Sequence, residues 1–183
     1  MSWNNRMRLN TYKITLLALL AALAIIGRLA LVTLPNVQPV TAIIIISGLL
    51  MGPISAILLA LLVVFLSNMI LGMGIWTIWQ IFSWSLIGLL SGLLGKFFKN
   101  IPLYIIIIYA VFCGYLYGFI ISLTTYQISG FFWPYYLAGL PFDTNHAIGN
   151  GIIIALLYPS ISYLLKKYAK NRFPIQRGWD KTQ

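Results

Sequence analysis

Three side chains able to do chemistry stand close together in Pro141-Phe-Asp-Thr-Asn-His-Ala-Ile-Gly-Asn150: Asp143, His146 and Asn150. A helix through this stretch stacks His146 and Asn150 on one face, because residues four apart are surface neighbours. Asp143 stands just before the last apolar run, where a carboxylate accepts free backbone N–H groups as a helix N-cap. That role leaves it able to line a site as well. A metal site draws on three or four ligands, and one histidine beside one aspartate falls short. The chain carries no Ser-His-Asp pattern, no paired carboxylates and no phosphate-binding loop. No catalytic residue, metal or cofactor is therefore expected.

A second polar cluster begins where an apolar run ends at Asn68. Gly72 and Gly74 punctuate an uncharged connection, and Trp76, Trp79, Gln80, Ser83 and Trp84 follow. A helix starting near Thr77 puts Trp76 with Gln80, and Trp79 with Ser83, on shared faces. Tryptophans at this level form an aromatic belt in many membrane proteins. Gln80 and Asn68 exceed that role, since an isolated polar group in hydrocarbon costs several kcal/mol. Arg28 lies alone in another apolar run. An intramembrane arginine snorkels to the interface or faces a wet cavity with a partner, and Asp143 or a ligand anion would serve as that partner. Asn36, Gln38 and Trp133 join the candidate ligand-binding residues.

The elements holding these residues follow from composition. The chain has 183 residues, 61% hydrophobic and only 8% charged, with mean hydropathy +0.93. A soluble domain is about one quarter charged, so this is an integral membrane protein. The net charge of +10 comes from basic residues that flank apolar spans, which is a topology signal and not a nucleic-acid footprint. Met1–Asn10 is polar and basic, and the apolar run after it is too long for the core of a cleaved signal, so no signal peptide is expected. The single cysteine, Cys113, sits in an apolar run as a packing residue, and one cysteine makes no internal disulfide.

These features predict an all-α membrane protein, a six-transmembrane-helix bundle with cytoplasmic N- and C-termini, in one domain over residues 1–183. The spans fall at about 12–34, 39–52, 54–71, 77–95, 102–126 and 142–168, followed by a polar tail at 169–183. Residues 126–140 read as a loop. The 39–52 span is short for a crossing of roughly 20 residues, so it is tilted, broken or packed inside. Basic residues at the N-terminus, at Lys96 and Lys99, and at the C-terminus fall on one side with six spans, which makes that side cytoplasmic. The polar and aromatic residues then gather at the outer side, as in a cup open outward and closed inward. Ala18/Ala22, Gly88/Gly92 and Gly114/Gly118 are small-residue pairs that allow close helix approach, to a partner or within the bundle.

Pro35-Asn-Val-Gln-Pro39, Asn68 with Gly72-Met-Gly-Ile-Trp-Thr-Ile-Trp-Gln80, and Phe142-Asp-Thr-Asn-His-Ala-Ile-Gly-Asn150 together resemble the substrate-binding (S) component of an energy-coupling factor (ECF) vitamin transporter. The likeness runs from about Thr11 to Lys170 and fits the length and six-span layout. It implies a non-catalytic, multi-pass protein of a prokaryotic plasma membrane that captures a vitamin or related micronutrient outside the cell. It also implies partners: a scaffold transmembrane subunit and two ATPase subunits that drive uptake. Ala18 and Ala22 match the Ala-xxx-Ala motif that touches the scaffold in this family. The Trp-Thr-x-Trp-Gln segment is similar to members assigned to cobalamin or its precursors. Riboflavin, pantothenate and pyridoxine components share the fold and stand as alternatives, as does a self-sufficient small transporter.

Overall fold

The computed structural model describes residues 10–98, 100–169, 172 and 175, and these are all helical apart from short connections. Six helices follow in order: α1 Thr11–Ala30, α2 Val40–Met51, α3 Pro53–Leu71, α4 Ile75–Phe97, α5 Leu103–Ser129 and α6 Phe132–Ala169. Five of them are long and apolar enough to cross a membrane, and α2 is the exception. Arg6, Arg8, Lys99, Lys170 and nearly all of the 169–183 tail lie outside the described residues.

The short helix is the centre of the bundle. All twelve residues of α2 are buried, and it touches each of the other five helices. Its sequence, Val-Thr-Ala-Ile-Ile-Ile-Ile-Ser-Gly-Leu-Leu-Met, is apolar on every side, which is the pattern of a helix with no polar surroundings on any face. At 1.5 Å per residue it is only about 18 Å long. Gly52 alone joins it to α3, with φ 95°, a backbone region closed to most side chains. Pro53 then opens α3 at a first-turn position, where its missing N–H costs nothing.

Two expected boundaries move. Helix α1 stops at Ala30 and gives way to turns through residue 36, so the first span ends before residue 34. Residues 126–140 are not a loop. Helix α5 runs to Ser129, Gly130 caps it in the left-handed conformation with φ 74°, and α6 begins at Phe132. Asp143 consequently lies eleven residues inside α6 and is not its N-cap.

The small-residue pairs separate by use. A side chain at Gly88 would fall 2.9 Å from the Ala56 Cβ, and one at Gly92 would strike Pro53, so this pair seats α4 on α3. Likewise Gly114 packs on Ala147 and Gly118 on the Asp143 carboxyl, seating α5 on α6. Ala18 and Ala22 differ from both, because they are exposed while Leu17, Leu20, Ala21 and Ala24 form the buried stripe of α1.

Candidate ligand-binding site

At the end of the bundle where α1 stops and α4 starts lies a cavity of about 230 Å³. Its wall is made by Arg28, Leu31, Val32, Leu34, Asn36, Val37, Gln38, Leu71, Gln80 and Tyr117. Six of these ten come from the 31–39 connection. Among the described residues, the wall holds one cation and no carboxylate.

Behind the wall a hydrogen-bond network ties four helices together. Arg28 is half-buried, and its Nη1 donates to Ser67 Oγ at 2.5 Å and to Asn68 Oδ1 at 3.1 Å. The Asn68 amide nitrogen donates to Thr77 Oγ1 at 3.0 Å and to Gln80 Oε1 at 2.8 Å. Gln80 Nε2 donates in turn to the Tyr117 hydroxyl at 3.2 Å. Asn68 is thus used at both ends of its amide, which is how a polar group is held at low cost in an apolar interior. Arginine carries five N–H donors, and only Nη1 is bonded to Ser67 and Asn68.

A second chain of bonds meets the first at stacked rings. Trp84 is fully buried, and its indole N–H donates to Thr41 Oγ1 at 2.8 Å. Thr41 Oγ1 lies 3.0 Å from His146 Nε2, and His146 Nδ1 lies 2.9 Å from the Asn36 carbonyl. A carbonyl only accepts, so Nδ1 carries the proton and Nε2 accepts from Thr41. That assignment satisfies every group from Trp84 to Asn36 with a neutral imidazole. Tyr117 stacks on Trp84 with ring centroids 4.7 Å apart and lies 5.1 Å from the His146 ring. The Arg28 guanidinium sits 5.4 Å from the Trp84 ring centroid, in cation–π range.

The predicted residues divide accordingly. Arg28, Asn36, Gln38 and Gln80 line the cavity. Asn68, Trp84 and His146 form the layer that holds it. Arg28 bonds to Ser67 and Asn68, not to Asp143, which packs instead against Gly118. Trp76 and Gln80 share a spacing but not an environment: Trp76 is 44% exposed and folds over Gly74, while Gln80 is buried. Trp79 donates to Gln127 at 3.0 Å, away from the cavity wall. Trp133 is exposed and meets Phe132 and Tyr136 edge-on. Asn150 is fully buried one turn beyond His146, and neither atom of its amide has a partner among the described residues.

Thr41, Ser67, Thr77 and Tyr117 were not legible as site residues. Thr41 is the one hydroxyl in the first half of α2, next to the Pro35–Pro39 segment, and that position was the available signal. Tyr117 had none, because α5 also contains Tyr104, Tyr109, Tyr115 and Tyr126.

A larger apolar cavity of about 380 Å³ opens at the opposite end, between Leu49, Leu94, Ile101 and Ile105. Its only polar side chains among the described residues are Asn100 and Tyr109, and the Tyr109 hydroxyl is already engaged by Ser91, so the smaller cavity is the better match to a specific ligand site, which combines shape with a few placed polar groups.

A family model described as ECF transporter, substrate-specific component, matches residues 12–171. No curated protein and no solved structure matches the chain.

Proposed function

The chain belongs to the substrate-specific components of ECF transporters, and on that premise we propose that it captures a small, anion-bearing micronutrient of the vitamin class in the Arg28 cavity. It is a multi-pass membrane protein of a transport system, and its own task is binding. Scaffold and ATPase subunits supply the energy for uptake. The observation that carries the ligand class is a cation in a wall with no carboxylate among the described residues, ringed by the Asn36 and Gln38 amides, Gln80 and the Tyr117 hydroxyl. Arg28 is pre-positioned by Ser67, Asn68 and Trp84, so binding does not have to order its flexible side chain. Preorganisation of this kind lowers the entropic cost of association.

The same reading places the cavity outside the cell and both termini in the cytoplasm. Lys96, Lys166 and Lys167 lie at the helix ends opposite the cavity, and Arg172 follows the last of them; excess basic charge stays on the cytoplasmic side. Ala18 and Ala22, exposed on α1, supply the close-approach face for the scaffold subunit.

A cobalamin-type ligand is the second reading, favoured by the Trp76-Thr-Ile-Trp-Gln80 likeness. Pockets for drug-sized ligands span about 300–1,000 Å³, and the cavity has about 230 Å³. A smaller vitamin fits this space as it stands, whereas a corrinoid requires the 31–39 connection to swing away.

The test is to purify the chain, extract its bound small molecule and identify it by mass spectrometry. Saturable binding is then measured for that molecule and for a panel of anionic vitamins and cobalamin. A bound acid of vitamin size supports the reading. Tight binding of cobalamin favours the second reading. Saturable binding of no vitamin overturns both.

A further inference from the structure

We propose that residues 132–140, the first part of α6, form a helical arm lying in the membrane–water interface at the cavity end of the bundle, neither crossing the bilayer nor projecting into water.

The first observation is a bend. Asp143 packs against Gly118, which sets the level at which α6 meets α5. Phe132 is eleven residues earlier, so in a straight antiparallel pair it would stand about 16 Å farther along the axis. Yet its ring centroid is 5.1 Å from that of Phe119, the neighbour of Gly118, and Tyr136 is 5.4 Å from the same ring. Two phenylalanine side chains do not reach across that separation. Residues 119–129 of α5 contain no proline or glycine, and Pro141 lies inside α6. Proline lacks the N–H for the helical bond and its ring clashes with the preceding turn. The helix therefore turns at Pro141 and lays 132–140 across the bundle.

The second observation is the surface this arm presents. Phe132 and Tyr136 face Phe119, while Trp133 is 63% exposed, Tyr135 47% and Leu137 58%, and Phe131 just before the arm is 69% exposed. No charged residue occurs anywhere between 100 and 142. An uncharged patch of this kind is costly in water. It also ends in an indole N–H and a phenol hydroxyl, which hydrocarbon would leave unpaired. Apolar rings with one polar tip settle at the headgroup level, where both needs are met. Exposed apolar side chains also run along α5 and the rest of α6, among them Phe112, Phe119, Ile148 and Ile152, as expected of helices that a bilayer surrounds, so the lipid interface is the covering partner that fits the arm.

The whole chain, carrying Cys113→Ala, is reconstituted in phosphatidylcholine vesicles. A nitroxide is attached in turn at Phe131→Cys, Trp133→Cys, Tyr135→Cys and Leu137→Cys. All four positions are exposed, so loss of one variant leaves three. Relaxation by oxygen, which concentrates in lipid, is compared with relaxation by a water-soluble nickel complex. The expected result is a ratio of oxygen to nickel accessibility well above that of the free label in buffer, greatest at 133 and 137. Ratios equal to the free label place the arm in water and overturn the proposal. Suppression of both probes at 133 and 137 means that protein covers the face, and overturns it equally.

Discussion

Asn68→Leu tests whether the buried amide network holds the binding wall in place. The substitution keeps the branched shape of the side chain and removes three hydrogen bonds: one accepted from Arg28 Nη1 at 3.1 Å, and those donated to Thr77 at 3.0 Å and Gln80 at 2.8 Å. A bond to a charged group contributes about 1.5–3 kcal/mol and a neutral one about 0.5–1.5 kcal/mol. The new leucine recovers part of this through about 1.5–3 kcal/mol of apolar burial. The Gln80 carbonyl, however, is left in a buried site without its donor, a further cost of about 1–3 kcal/mol. The net loss of stability is roughly 2–6 kcal/mol. Affinity falls for a different reason. Arg28 keeps Ser67 but loses the contact that fixes its rotation, and a misplaced cation costs about 1–2 kcal/mol of binding, or roughly 5–30-fold in Kd. Thermal unfolding in detergent reads the first effect, and calorimetric titration with the co-purifying ligand reads the second. A cycle with Gln80→Leu should be non-additive by about 0.5–3 kcal/mol, as residues in one network are. If Asn68→Leu unfolds and binds as the parent does, the network does not organise the site and the assignment of the cavity fails.

Other outcomes follow from the same geometry. Arg28→Met should weaken binding of an anionic ligand roughly 10–100-fold while a neutral analogue changes little, since a charge-assisted contact is worth about 1.5–3 kcal/mol; equal losses for both ligands would remove the charge from the account. Gly118→Ala drives a methyl into the Asp143 carboxyl and should destabilise by about 1–3 kcal/mol through overpacking, measured by thermal unfolding. Adding Asp143→Ala should restore most of that stability, and no restoration would mean that the two helices do not meet there. A membrane-impermeant thiol reagent applied to intact cells should label Val37→Cys and Ser129→Cys but not Phe98→Cys, and the reverse pattern would invert the bundle. Ala22→Trp should abolish uptake in the presence of the energy-coupling subunits while leaving ligand affinity unchanged, because Ala22 is on the free face of α1; normal uptake would free that face of its partner.

Residue types alone were enough for the membrane class, the helical fold and the transporter family. These properties depend on local sums: the apolar content of a 20-residue window decides partitioning, and the family segments are contiguous in sequence. Four residues that line the cavity were also singled out: Arg28 and Gln80 because a polar side chain in an apolar run is costly wherever it sits, Asn36 and Gln38 because they belong to the Pro35–Pro39 segment that carries the family resemblance. Tertiary structure decided the rest. Spacing paired Gln80 with Trp76, yet its partners are Asn68 and Tyr117, the latter 37 residues away. Thr41 and His146 meet across 105 residues, and no periodicity encodes that. Residues 126–140 read as a loop because glycine and proline are local punctuation, but helix α6 forms before Pro141 and turns there. The short α2 helix left three possibilities open, since a chain of isoleucines is equally content in lipid or in protein. What excluded lipid was the arrival of five other helices around it, and only the assembled bundle contains that fact.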